Sequence, residues 1–261
     1  MQLSQFSQNF DAWGLITKNL DGGDTCSRHF TALYCCDHSP AEANHALQLL
    51  QQAGIPIRHP DSTRWYSRPN TTSRDQLIPY LCYVATHRPD YFKQLAAQHA
   101  KRAFVFAWNT HRNFQYSTPE EQLAKSNVSW NYAWKLPDIC GPNVWAIYLR
   151  GLLKHSKISG ALAPILKLPL YVLDLQQLVA VSIIYIQLIL GYRIGPTSRP
   201  RSIDHDMQNL ILPCHLAAHN SPTLLSKLTW NMLKPVAKVA AKSFFQQPDE
   251  PRLDLALSRL D

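Results

Sequence analysis

The spacing between helical segments constrains this chain more than any single residue does. Apolar residues recur at helical intervals in eight stretches: about 25–36, 41–53, 74–87, 91–106, from 142 onward, 164–192, 204–218 and 223–245. The connections between them alternate in length. Short turns at 37–40, 88–90 and 219–222 alternate with long polar connections at 54–72, 108–141 and 193–203. A short turn makes its two helices antiparallel neighbours. Every long connection then falls at the same end of the helix array. Period-two alternation is scarce, which disfavours a strand-based fold. The expected class is all-α: antiparallel helical hairpins in a partial α/α-toroid-like array, with the motif-bearing loops on one rim.

Local signals agree with these segments. Ser39 and Pro40 suit the N-cap and first position of the second helix. Ser73-Arg-Asp-Gln76 reads as a capping box ahead of an apolar run that begins at Leu77. Residues 1–20 read as a short helix or packing arm, and 246–261 as a surface tail. No linker divides the 261 residues, of which 46% are hydrophobic, so one domain over 1–261 is expected.

The net charge of +8 suits an anionic partner: nucleic acid, an acidic polysaccharide or an anionic membrane. It also serves solubility. No run of five or more basic residues occurs, which disfavours nucleic acid. The six cysteines form no C-x-x-C pair, and the first residues lack a secretory signal. A reducing, cytoplasmic setting with free thiols is expected. Residues 164–192 are the most apolar. Their uninterrupted core is shorter than the roughly 18–20 residues of a span, and Lys167, Asp174, Gln176, Gln177 and Gln187 interrupt the stretch. A buried central helix, a membrane-associated helix and one imperfect span remain open.

Three polar clusters would meet on the rim. The first is Asp21, Asp24 and Arg28. Asp24 is read either as a helix cap, with Arg28 its ion-pair partner, or as an acid/base carboxylate. The second is His59, Asp61, Arg64, Trp65, Tyr66, Arg74 and Asp75. Asp75 suits the dipole of the helix it begins, or the partner of Asp24 across a cleft. The third holds Asn109, His111, Arg112, Asn113, Trp130, Tyr132, Trp134, Lys135 and Asp138. Trp and Tyr in polar loops stack on sugar rings, or plug the loops onto the helices. No G-x-G-x-x-G, P-loop, G-x-S-x-G or H-E-x-x-H occurs, so no cofactor is expected. His205 between Asp204 and Asp206 is a faint metal signal, and no metal is assigned.

Several of these motifs occur in one order: Gly-Gly-Asp-Thr-x-x-Arg (22–28), Arg-His-Pro-Asp with Trp-Tyr-Ser (58–67), Ser-Arg-Asp-Gln (73–76), Asn-Thr-x-Arg-Asn (109–113), Trp-Lys-Leu-Pro-Asp (134–138) and Trp-x-x-Tyr-x-Arg-Gly (145–151). The set resembles a family of uncharacterised bacterial and phage-associated proteins over about residues 20–220. The resemblance implies that these loops form one site and names no reaction. The layout is also similar in architecture to the α/α toroids of glycan hydrolases and lyases. The first expectation is therefore an enzyme, hydrolase or lyase, acting on a glycan or envelope polymer. Asp24, Asp75 and His59 are the candidate catalytic residues. Arg28, Asp61, Trp65, Tyr66, Arg74, Asn109, His111, Arg112, Trp134, Asp138 and Trp145 are the candidate substrate contacts. The alternative is a membrane-associated binding or structural protein that recognises an anionic ligand.

Overall fold

The computed structural model describes residues 2–4, 10–17, 25–61, 71–101, 107–108, 113–115, 137–138, 142–155, 162–190 and 210–244. Among them are the helices α1 (Thr25–Cys35), α2 (Pro40–Leu49), α3 (Arg74–His87), α4 (Pro89–Ala100), α5 (Pro142–His155), α6 (Leu162–Leu190), α7 (Leu212–His219) and α8 (Leu224–Phe244). Three short antiparallel ladders join them. β1 (Gln51–Gln52) pairs with β2 (Ile55–Pro56), β3 (Thr71–Ser73) with β5 (Asn113–Gln115), and β4 (Ala107–Trp108) with β6 (Pro137–Asp138). The class is all-α. The chain divides into two compact units, residues 1–141 and 142–261. The toroid-like array would involve both units and stays an expectation.

In the first unit, α1 and α3 form the core. Every residue of α1 from Thr25 to Tyr34 is buried, and so is α3 from Gln76 to Ala85. The two helices pack against each other, and α4 packs on α3. Phe30 meets Tyr80 edge-on, with ring centroids 4.8 Å apart, and Tyr83 lies 5.6 Å away. Such aromatic geometry adds to the stabilisation from area burial. Helix α2 starts where Ser39 and Pro40 place it. The Ser39 Oγ accepts the Glu42 N–H at 3.2 Å, and Glu42 Oε2 accepts the Ser39 N–H at 2.6 Å.

Two boundaries differ from the sequence expectation. Helix α2 stops at Leu49 rather than near Ala53, because a hairpin follows. Ala53 and Gly54 have φ of 51° and 82°, two successive left-handed residues that close a two-residue turn. Helix α4 stops at Ala100 rather than near Phe106. The N-terminal arm is also more defined than expected. Phe10 bridges Ile16, and Asp11 N–H donates to Leu15 O at 2.9 Å. Asp11 Oδ1 accepts the N–H groups of Trp13 and Leu15 at 2.8 and 3.0 Å, which locks the turn from inside.

In the second unit, α5 packs on α6 and α7, and α8 packs on the same two helices. The buried side of α6 carries Leu170, Asp174, Gln177 and Val181. Its other side is exposed and apolar. Among the described residues α1, α3 and α7 are the enclosed helices, and within α1 Thr31 Oγ1 donates to Ser27 O at 2.7 Å. Helix α6 is the more apolar helix and is open on one side.

Candidate functional site at the start of α1 and α3

Several motif-bearing segments of the first unit come together where α1 and α3 begin. The Cys26 N–H donates to Arg58 O at 3.1 Å, tying the loop 57–61 to the first turn of α1. The Ser27 N–H donates to Gln76 Oε1 at 2.9 Å. Strand β3 runs directly into α3, and β5 lies beside it with Asn113 opposite Ser73. The first and second long connections therefore meet through backbone pairing, as the alternating turn lengths imply. Gln76, assigned by sequence to a local capping box, reaches across to α1. It is fully buried and answers an N–H that the helix itself leaves open.

Arg28 and Arg58 are both buried. Burial pushes the Cys26 thiol up, and the nearby Arg58 only partly opposes it. A buried thiol held protonated is not a nucleophile.

His59 is buried as well, and its hydrogen bonds fix its tautomer. Asp61 N–H donates to Nδ1 at 3.0 Å, so that nitrogen carries no proton. Nε2 therefore holds the hydrogen and donates to Asp11 Oδ2 at 2.7 Å. Both ring nitrogens are engaged, which leaves none for a substrate. In this arrangement His59 bolts the N-terminal arm to the loop 57–61. Burial alone would raise the Asp11 carboxyl, but the bonds from His59, Leu15 and Trp13 outweigh it and hold it below its ordinary value.

Two further histidines complete the clamp, and sequence reasoning missed both. His29 Nδ1 accepts the Ile16 N–H at 3.1 Å, and His45 Nε2 donates to Trp13 O at 2.7 Å. Burial above all lowers His29 to about 3, helped by the fields of His45 and His38 and opposed by Asp11. It is neutral at pH 7, with its Nε2 hydrogen buried and without an acceptor among the described residues. The sequence signal was Asp11-Ala-Trp-Gly14, an Asx-type turn whose Gly14 adopts φ of 70°.

The remaining candidates are placed as follows. Arg28 lies within α1 and Asp61 is half-buried beside His59. Arg74 and Asp75 form the first turn of α3, and Asp138 lies opposite Ala107, with their side chains outside the description. Asp21, Asp24, Arg64, Trp65, Tyr66, Asn109, His111, Arg112, Trp130, Tyr132, Trp134 and Lys135 lie outside the described residues, as do Asp204, His205, Asp206 and the connection 193–203. Trp145 is on α5 in the second unit, half-buried, with its ring 6.4 Å from that of Tyr148. Among the described residues no group of three or more His, Cys, Asp or Glu side chains gathers as a metal site.

Comparison with known proteins found no match: no protein family, no curated protein and no solved structure matches the chain.

Proposed function

We propose that the first unit recognises a glycan or another anionic envelope polymer through the long connections whose described ends meet at the starts of α1 and α3. The carrying observation is the joint itself, in which Gln76 and Arg58 fasten α1 to the two segments that flank the long loop. It supports a frame that fixes both ends of a connection rich in Arg, Trp and Tyr, and the net charge of +8 favours an anionic ligand. The test is calorimetric titration with an oligouronate and with a neutral oligosaccharide of equal length. The oligouronate binds more tightly, and Arg74→Gln with Arg112→Gln weakens it about tenfold or more. Equal or absent binding of the two sugars ends this reading.

A second reading, hydrolysis or elimination at the same place, is favoured by Asp75 standing in the first turn of α3. That turn is held beside the residues that directly follow Asp24. Two carboxylates across a cleft suit glycoside hydrolysis. Release of reducing ends or unsaturated products from envelope polymers is the readout. Asp24→Asn and Asp75→Asn are expected to stop turnover and to leave binding in place. With His59 engaged on both nitrogens, these carboxylates are the stronger acid/base candidates of the three.

A further inference from the structure

Helix α6 is built the wrong way round for water. At about 100° per residue, Ile165, Leu168, Val172, Leu175, Val179 and Ile183 share one stripe. Those six are 44–69% exposed. The opposite stripe, buried against the rest of its unit, holds Asp174 and Gln177 between Leu170 and Val181. The charge and the amide face inward and the branched aliphatics face outward. The stripe runs about 27 Å along the axis at the helical rise, far more than the scattered single apolar residues of an ordinary surface.

The charges of the second unit say what covers it. Its described residues contain one carboxylate, Asp174, which is buried and paired with Arg150. Its cations include Lys167 and Lys227, both exposed. A second copy would bring the same positive charge against itself. An anionic lipid surface answers both features, with acyl chains against the stripe and headgroups against Lys167, exposed on the same helix. Among the described residues no helix is long and apolar enough to cross a membrane, and the buried Asp174 and Gln177 side needs protein, not lipid, beside it. We infer that the outer face of α6 lies in the plane of an anionic membrane, as an interfacial contact rather than a span.

The test uses the full chain and flotation with vesicles of phosphatidylcholine alone or mixed equally with phosphatidylglycerol. The chain floats with the mixed vesicles, less with the neutral ones, and less again in high salt. The triple variant Leu168→Gln, Val172→Gln, Val179→Gln changes only exposed positions, so circular dichroism should be unaltered. It binds mixed vesicles about tenfold more weakly or worse. Lys167→Glu with Lys227→Glu removes the preference for the mixed vesicles, each reversal being worth about fivefold or more. An environment-sensitive dye on Val172→Cys shifts to the blue when those vesicles are added. Absence of flotation, equal flotation with both vesicles, an unaffected triple variant or an unshifted dye overturns the inference. So does a wild-type dimer that the triple variant splits while neither binds vesicles, since a second copy then covers the stripe.

Discussion

Arg150 Nη2 donates to both carboxylate oxygens of Asp174, at 2.6 and 2.7 Å, and neither side chain reaches solvent. Thr223 Oγ1 donates to the same carboxylate at 2.6 Å, so one buried group ties α5 and α6 to the start of α8. Desolvation of the two charges offsets much of their attraction, and the pair is worth little against a well-packed apolar replacement. Breaking it from one side is another matter. Asp174→Ala strands the Arg150 guanidinium and is expected to cost about 3–5 kcal/mol. Arg150→Met with Asp174→Leu should recover most of that loss. Urea unfolding followed by circular dichroism measures both. A double variant as unstable as the single one would mean that the three-way link to Thr223, rather than the charge balance, holds these helices together.

The clamp on the N-terminal arm makes the first unit sensitive to acid. His29 has its folded-state pKa lowered to about 3, so between its ordinary value and that point the unfolded chain binds the proton and the folded chain does not. Its contribution to stability is complete above about pH 6.5 and declines as pH falls toward 3, by at most about 1.4 kcal/mol per pH unit. Asp11 acts in the same direction at lower pH. Its carboxyl is held below the ordinary value, so its contribution is lost as pH falls through the folded value. Urea midpoints at pH 7 and pH 5 should show the wild type losing stability. His29→Gln, which keeps an acceptor for the Ile16 N–H, should flatten that slope. An unchanged slope would place the acid sensitivity elsewhere.

Much of this fold was legible in the sequence because its signals are local. Ser39-Pro40 placed α2, the motif ending at Gln76 placed α3, and Pro142 placed α5. Turn lengths led to the expectation of one shared rim, and of that the pairing of β3 with β5 shows only that the ends of the first two long connections touch. What was not legible depends on partners distant in sequence. Nothing in Asp11 or His59 taken separately announces a bond across 48 residues, and a neutral His29 is defined by what surrounds it. The apolar face of α6 was visible as composition. Its orientation became clear only once Asp174 was seen to face Arg150.

Gln76 is the pillar of the site, and its loss should be felt there. Gln76→Leu keeps the volume and removes the acceptor for the buried Ser27 N–H, at an expected cost of about 1–3 kcal/mol. Gln76→Glu retains an acceptor oxygen but buries a charge, so it should be no better tolerated. Amide hydrogen exchange at Ser27 is the direct readout. Faster exchange in Gln76→Leu, with the centre of α1 unchanged, is the expected result. Unaltered exchange would show that the bond does not hold the start of α1.

The Asp11–His59 bond separates a structural from a chemical role for His59. Asp11 accepts from Trp13, Leu15 and His59, so Asp11→Ala leaves three donors without their acceptor and should cost about 2 kcal/mol or more. Asp11→Asn keeps one oxygen for the two backbone N–H groups but turns an amide toward the His59 N–H, and should fall between. Limited proteolysis at the arm should follow the same order, with Asp11→Ala cut fastest. His59→Gln should match the arm release of Asp11→Asn. If His59 only clamps the arm, any activity or binding of these variants falls in proportion to arm release, and the conservative Asp11→Asn rescues part of both. If instead His59→Gln abolishes turnover while the arm stays as protected as in the wild type, the ring works on substrate, and the tautomer implied by its two hydrogen bonds is that of a resting state.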